Sequence, residues 1–578
     1  MLKSLIIKVV IIMKQIVFLD VEVSNEKVVD FGAIYEDNKS FHDVSERNFS
    51  QFINDAFYIC GHNIISHDFK YIKDSIKQRK YLLIDTLCIS PLIYPKKKYH
   101  NLLKDDKLQI DSVNNPLNDS KKAMELFLQE VAEFNNLNNT LKSILGTLLS
   151  KVKEFEGFFD YVKWNRCLFL ERDIKAYFSN KICDEVKLKD LINKYPVELA
   201  YTLALVACDE KHELFAPWVH LNYPNVEYVI QTLRGNNCGN CEYCKAKFDP
   251  VVRLNEIFNY PSFRKYGDKE EPLQEMAVRK AMDGESILTI FPTGGGKSIT
   301  FQLPALIAGE ATKGLTVVIS PLQSLMKDQV DGLERKNIID AVTINGMVDP
   351  IARKEAVDRV YDGRASILYI APESLRSKTI EKLLMARKIE RIVIDEAHCF
   401  STWGQDFRVD YLYIAEFIKK LQEKKGNGCK IPISCFTATA KQKVISDIMD
   451  YFNDRLGIRL TKIATSATRK NLHYKVELKK DEEEKYISLR DLLIAKKCPT
   501  IIYVSTTTQT VKLANRLNAD GIEALFFHGK MESQDKVDTQ NRFINGEVDV
   551  IVATSAFGMG VDKDNVELVV HYEISGSL

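Results

Sequence analysis

An apolar run that stops at a glycine loop constrains this chain more than any other feature. Ile287–Ile290 is followed by FPTGGGKSITF, so a strand-like segment runs into three glycines, a lysine, a serine and a helix-compatible stretch. That order suits phosphate binding: backbone N–H groups at Thr293, Gly294, Gly295 and Gly296 can close on the oxygens, Lys297 adds charge, and Ser298 can bind magnesium. A second apolar run, Ile392–Ile394, ends in Asp395 and Glu396. Strands buried in a parallel sheet read as continuous apolar runs and carry their ligands at the carboxyl ends. Asp395 would hold the magnesium ion, usually through water, and Glu396 would polarise the water that attacks a γ-phosphate. The two strand ends together predict a parallel α/β sheet with one nucleotide site at its edge.

Further motifs follow in a fixed order. The loop departs from the general GxxxxGK[ST] form, because Phe291 stands at the first glycine, and fits TGxGK[ST] better. LNEIFNYPSFRKY, beginning at Leu254, precedes Pro272, Leu273 and Gln274; ISPLQSLMKDQV spans Ile319 to Val330; YIAPESL begins at Tyr369; CFTATA begins at Cys435. From about Leu254 onward these residues resemble the RecQ family of superfamily 2 DNA helicases. The resemblance implies two RecA-like domains, ATP and Mg2+ as cofactors, and DNA, as single strands and duplex junctions, as partner. It implies that Phe263 and Arg264 lie near the adenine and that Gln274 reads it. Gln323 falls in a DNA-backbone motif, and CFTATA links the ATP site to the DNA groove. STWGQDFR stands where that family carries an aromatic-rich loop. Trp403, Phe407 and Arg408 are therefore expected to sense DNA, since aromatic and guanidinium planes stack on unpaired bases.

The expected organisation is an extension over 1–14, an exonuclease-like domain over 15–140, a helical module with a cysteine knuckle over 150–250, and RecA-like domains over 251–465 and 468–578. In the last of these, VDVIVATSAFGMGVDKDNV resembles motif V, which implies that Gly558, Gly560 and Asp562 face the nucleotide cleft. The chain ends at Leu578, before the QxxGRAGRD segment that carries the family's arginine finger. A truncated gene product is the expectation. Loss of such a finger costs about 10³ to 10⁵ in turnover elsewhere, so a DNA- and ATP-binding scaffold without unwinding activity is the alternative. A metal-dependent exonuclease with a regulatory helicase half is a third.

The amino-terminal third carries different chemistry. QIVFLDVEVS puts Asp20 and Glu22 on one face of a strand, because side chains alternate with period two, and two such carboxylates can bridge metal ions. YICGHNIISHDFKYI presents Asp68, and NNPLNDSKKAMELF presents Asp119. This set resembles the DnaQ-like, DEDD-type 3′-to-5′ exonucleases and implies a ribonuclease-H-like fold holding two Mg2+ or Mn2+ ions. In the histidine subtype a general base lies five residues before the last acid, and here that position is Asn114. Asparagine cannot take a proton from the attacking water, and His100 is read as a packing residue rather than a substitute.

Between these parts lies LRGNNCGNCEYCKAKFDP, in which Cys238, Cys241 and Cys244 form CxxCxxC. Three thiolates at that spacing suit tetrahedral zinc with a fourth ligand from elsewhere, and Cys208, His212 and His220 are the candidates. Disulfides are disfavoured among 12 cysteines scattered through domains of intracellular type. Formal net charge is only +1, so DNA affinity has to come from local basic patches and strand-end amides. MLKSLIIKVVIIMKQ has a broken apolar run and no small-residue cleavage site, and no span reaches the roughly 20 apolar residues that a membrane helix needs. A bacterial-type cytoplasmic, nucleoid-associated setting is expected.

Overall fold

The computed structural model describes residues 14–74, 76, 81–97, 100, 102, 115–208, 215–267, 269–346, 349–401, 409–426, 428–438, 441–465, 472–557, 563 and 565–573. They fall into two compact units. One comprises Met1–Ser262, Ala305–Leu315 and Tyr361–Ser366, and the other Phe263–Pro304, Thr316–Val360 and Ile367–Leu578.

In the first unit β1 (Gln15–Ser24), β2 (Lys27–Tyr35), β3 (Ser40–Asp43), β4 (Ala56–Gly61) and β5 (Leu82–Asp85) form a sheet in the order β3-β2-β1-β4-β5. β2 is antiparallel to β1 and β3, whereas β1, β4 and β5 run parallel. The β1–β2 turn places Asn25 and Glu26 at φ 49° and 62°, the left-handed pair that a two-residue hairpin needs to match strand twist. Alternation along β1 divides the side chains between two cores. Val17, Leu19 and Val21 pack with Phe31, Phe49 and Ile72 on one side. Ile16 and Phe18 enter a larger core on the other, which continues through Phe127 and Phe158 to Leu233. The sheet and the helices after residue 139, expected as separate modules, therefore share one apolar core. Tyr201 and Gly157 show how closely they fit: the Tyr201 hydroxyl donates to the Cys88 carbonyl at 2.8 Å, and a Cβ on Gly157 would lie 2.2 Å from the Leu83 carbonyl oxygen.

In the second unit β6 (Ile287–Ile290), β7 (Leu315–Ile319), β8 (Ala341–Ile344), β9 (Ile367–Ile370), β10 (Ile389–Ile394), β11 (Ile433–Thr437) and β12 (Thr461–Ala464) form a sheet in the order β12-β6-β11-β10-β7-β9-β8. β12, β6, β11 and β10 are mutually parallel, as are β7, β9 and β8. Complete burial of β6, β7, β9 and β11 explains why these segments read as mainly apolar runs, interrupted by Thr289, Thr316, Ser434 and Thr437, rather than alternating ones. A further parallel sheet, β14-β15-β13-β16, is built from β13 (Thr500–Tyr503), β14 (Ala524–Phe527), β15 (Val550–Ala553) and β16 (Leu568–His571). Among the described residues no helix is long and apolar enough to cross a membrane.

Candidate functional site

The phosphate loop lies between β6 and the helix Lys297–Thr312, as its sequence predicts. Gly294 and Gly296 adopt φ 70° and 75°, a left-handed backbone that side chains with a Cβ rarely accept. All three glycine carbonyls are held by one preceding segment. Arg264 donates to the Gly294 oxygen at 2.6 Å, the Tyr266 hydroxyl to the Gly295 oxygen, and the Gln274 amide to the Gly296 oxygen at 2.9 Å. Gln274 also accepts from the Arg264 backbone N–H at 2.7 Å, while Phe263 is buried. The residues expected around the adenine are seen here to shape the loop. Tyr266, which sequence reasoning missed, stacks on Phe291 with ring centroids 4.5 Å apart. That contact gives a use to the aromatic standing where the general loop motif has glycine.

The acidic pair arrives on β10. The Asp395 N–H donates to the Ile319 carbonyl at 2.9 Å, joining the ends of β10 and β7, and the Tyr411 hydroxyl donates to the Asp395 carbonyl at 2.9 Å. Burial, reinforced by the Glu396 charge, pushes the Asp395 carboxyl up to about 6. Burial opposes ionisation of Glu396 too, yet the hydrogen bond from His398 and the charge of Lys297 hold it below its usual value. Glu396 sits at φ 47°, a costly backbone for a residue with a Cβ and one that gathers at active sites. His398 bridges two motifs, with Nδ1 3.1 Å from Glu396 Oε2 and 3.4 Å from the Thr437 hydroxyl at the end of β11. The DEAH letters display this histidine, but its link to the Thr437 strand end is a product of sheet order. Ser298 lies in the first turn of the loop helix and Gln323 begins the helix Gln323–Glu334.

In the first unit the apolar face of β1 runs out at Asp20 and Glu22, which continue the Ile16–Phe18 face. Opposite Asp20 stands Gly32. The missing side chain lets the helix Pro116–Asn136 start directly over β2: a Cβ on Gly32 would lie 2.2 Å from Leu117 N and Pro116 C. Asn115 caps that helix, accepting from Leu117 and Asn118, with Pro116 in its first turn. Ser120 donates to the Gly32 carbonyl at 3.1 Å. This docking delivers Asp119, so that carboxylate oxygens of Asp20, Glu22 and Asp119 lie within 4.8 Å of one another. Asp68 stands apart from that trio. It is buried, it accepts from the Val21 backbone, its Oδ1 lies 3.1 Å from His67 Nδ1, and burial pushes it up to about 6.

Asp85 is a buried acid to which sequence reasoning gave no role of its own. It accepts N–H bonds from Asn63, Ile65 and Leu87 at 2.8–3.0 Å, pinning the segment that carries Asp68 to β5. His100 is buried, with Nδ1 2.7 Å from the Ser90 hydroxyl.

Cys238, Cys241 and Cys244 do come together, and Cys183 joins them, with all four sulfurs within 4.8 Å of one another. Neither remaining described candidate is in the group. Cys208 donates to the Ala204 carbonyl within its own helix, and His220 lies 3.9 Å from Glu227. The expected residues Trp403, Phe407, Arg408, Gly558, Gly560, Asp562, Asn114 and His212 lie outside the described residues.

Comparison with known proteins agrees with the geometry of the second unit. Residues 271–448 match the family model for DEAD/DEAH box helicases, and residues 484–578 match the helicase conserved C-terminal domain. The chain thus matches the models of two helicase domains in sequence order. The probable ATP-dependent DNA helicase RecS of Bacillus subtilis is 33% identical over 322 residues, covering 56% of this chain and 60% of the relative. ATP-dependent DNA helicase RecQ of Haemophilus influenzae is 35% identical over 325 residues, covering 56% and 49%. ATP-dependent helicase SGS1 of Saccharomyces cerevisiae is 34% identical over 335 residues, covering 57% and 22%. The chain therefore spans between 22% and 60% of these three relatives.

Proposed function

We propose that this chain is an ATP-dependent DNA helicase of RecQ type, moving 3′ to 5′ in DNA repair or recombination, with an appended metal-dependent 3′-to-5′ exonuclease domain. The observation that carries the helicase reading is the phosphate loop after β6 and the Asp395–Glu396 pair after β10 within one parallel sheet, followed by a second parallel sheet. Lys297 would bind the phosphates, Ser298 and Asp395 the Mg2+ ion, and Glu396 the attacking water. Gln274 and Arg264 would exchange loop carbonyls for the adenine as ATP enters. Relatives named as DNA helicases support DNA as partner; the setting proposed is cytoplasmic and nucleoid-associated. DNA-stimulated phosphate release and displacement from a 3′-tailed duplex test this reading. Both should disappear in Lys297→Ala, and a folded parent that shows neither refutes it.

A specific observation favours the nuclease as a second activity: acids from β1 and from a helix remote in sequence converge within 4.8 Å. Asp20, Glu22 and Asp119 would hold Mg2+ or Mn2+ ions that activate water and stabilise the leaving oxygen, with Asp68, which stands apart from them in this structure, as the expected fourth acid. The β3-β2-β1-β4-β5 order supports the ribonuclease-H-like reading. Degradation of single-stranded DNA with Mn2+, lost in Asp20→Ala and retained in Lys297→Ala, is the expected result. Loss in neither variant would assign the cleavage to a contaminant. The thiol cluster, on this reading, holds zinc.

A further inference from the structure

We infer that Cys183 is the fourth ligand of a mononuclear, all-thiolate zinc site completed by Cys238, Cys241 and Cys244, an inference that rests on the zinc reading and adds its ligand set. The first argument is distance. Tetrahedral zinc with Zn–S bonds of about 2.3 Å places its sulfurs about 3.8 Å apart. Here the widest of the six separations is no more than 4.8 Å, so closing on one ion takes shifts of about 1 Å or less. An iron–sulfur cluster would insert iron and sulfide between the thiolates and hold the sulfurs further apart than one ion does.

The second argument is the shell around the sulfurs. Backbone N–H groups point at them: Cys241 at Cys238 Sγ (3.4 Å), Cys244 at Cys241 Sγ (3.4 Å) and Cys238 at Cys244 Sγ (3.5 Å). Such donors stabilise thiolate over thiol and fix the direction of its lone pairs, as outer-sphere groups do around metals. Gly239, at φ 74° with open space where a Cβ would stand, makes the tight turn between the first two cysteines.

The third argument is anchorage. Cys183 is buried, and its own N–H donates to the Leu233 carbonyl at 2.9 Å. That bond ties it to the chain five residues before Cys238 without help from an ion. The site is therefore assembled by the fold. An ion there joins the turn around residue 183 to the helix Glu242–Phe248, whose Lys247, one turn past Cys244, pairs with Glu310 at 2.6 Å.

The test uses the full chain, purified under reducing conditions and analysed for metals, with X-ray absorption at the zinc edge. One zinc per chain with four sulfurs at about 2.3 Å is expected. Cys183→Ser should lower zinc affinity by more than the roughly 10- to 100-fold of outer-sphere changes, and Cys183→His, which restores a ligand, should recover most of it. Cys208→Ser should leave affinity unchanged. A parent without zinc, or one with visible iron–sulfur absorption, overturns the zinc reading itself. A zinc-loaded parent with three sulfurs and one nitrogen or oxygen, or a Cys183→Ser protein that keeps parental affinity, overturns the assignment of Cys183 alone. Because the absorption measurement needs no variant, a Cys183→Ser protein that fails to fold does not protect the proposal.

Discussion

Replacing Gly32 by alanine should disable the carboxylate cluster without touching a carboxylate. The new Cβ would stand 2.2 Å from Leu117 N and from Pro116 C, and 2.5 Å from the Pro116 carbonyl oxygen. Ordinary carbon contacts begin near 3.5 Å, so the helix start has to lift by about 1 Å. All three obstacles are backbone atoms, and no rotamer change can relieve them. The lift is resisted by the Ser120 bond to the Gly32 carbonyl and by Phe127, whose ring centroid lies 5.6 Å from that of Phe18. Overpacking of this kind costs about 1–3 kcal/mol, which lowers the melting temperature of a unit this size by roughly 2–4 °C per kcal/mol. The functional cost should exceed the structural one. Asp119 lies in the first turn of the displaced helix, whereas metal sites tolerate only about 0.2 Å of error in ligand distances. A misplacement of about 1 Å can cost about 10²-fold in rate. Manganese titration by calorimetry, single-stranded DNA degradation and DNA-stimulated ATP hydrolysis should be measured on parent and Gly32→Ala side by side. Weaker Mn2+ binding and about a hundredfold slower degradation are expected, with hydrolysis unchanged. If Gly32→Ala binds Mn2+ and cleaves like the parent, the helix does not set the position of Asp119 and the reasoning fails.

Glu396→Gln keeps the shape of the acidic pair but removes the base, so phosphate release should fall by about 10²- to 10⁴-fold with ATP affinity within a few-fold, as read by stopped-flow binding. Gln274→Ala loses the two bonds that its amide would make to the adenine in place of the Gly296 carbonyl and the Arg264 N–H; at about 1 kcal/mol each, KM for ATP should rise roughly ten- to thirtyfold, and an unchanged KM would detach Gln274 from the site. Burial lowers both His62 and His100 to about 4, and each feels the other's charge or that of Lys97. A histidine near 6.5 when unfolded and 4 when folded takes up its proton preferentially in the unfolded chain. Stability is therefore lost as pH falls from about 6.5 towards 4, by about 2 kcal/mol per histidine at pH 5. Asp68 and Asp85, both raised to about 6 by burial, oppose this, because each is stabilised by protonation over the same range. The histidine contribution is isolated by a His62→Gln, His100→Gln double variant. Its melting temperature should fall less than the parent's between pH 7 and pH 5, and an equal fall would remove the histidines from the account.

What could be read from the letters, and what could not, follows from how each residue reaches its place. Lys297, Asp395 and Glu396 announce themselves because a short apolar strand delivers them, and the strand and its terminal residue are adjacent in sequence. Asp20 and Glu22 are legible for the same reason, as period-two continuations of the Ile16–Phe18 face. Cys183 stands alone in KICDEVK with no second cysteine at ligand spacing, and only the Leu233 bond and the packing around it bring its sulfur to the other three. Asp85 looks like any strand-end acid until its three N–H donors are seen, and Tyr266 and His398 act on partners supplied by other segments. The split expected between residues 140 and 150 was drawn where motifs stop, yet apolar side chains on both sides fill one core. Motifs mark where a strand's apolar face gives way to chemistry, so the position of each site could be read locally. The partner that completes it comes from another segment, and its identity is fixed by docking contacts such as Gly32 against Pro116–Leu117. At the thiolate site the last ligand, Cys183, is a matter of packing, whereas Asp119 is legible in sequence and packing decides only whether it reaches Asp20 and Glu22. That is why a glycine with no chemistry of its own can decide whether Asp119 takes part.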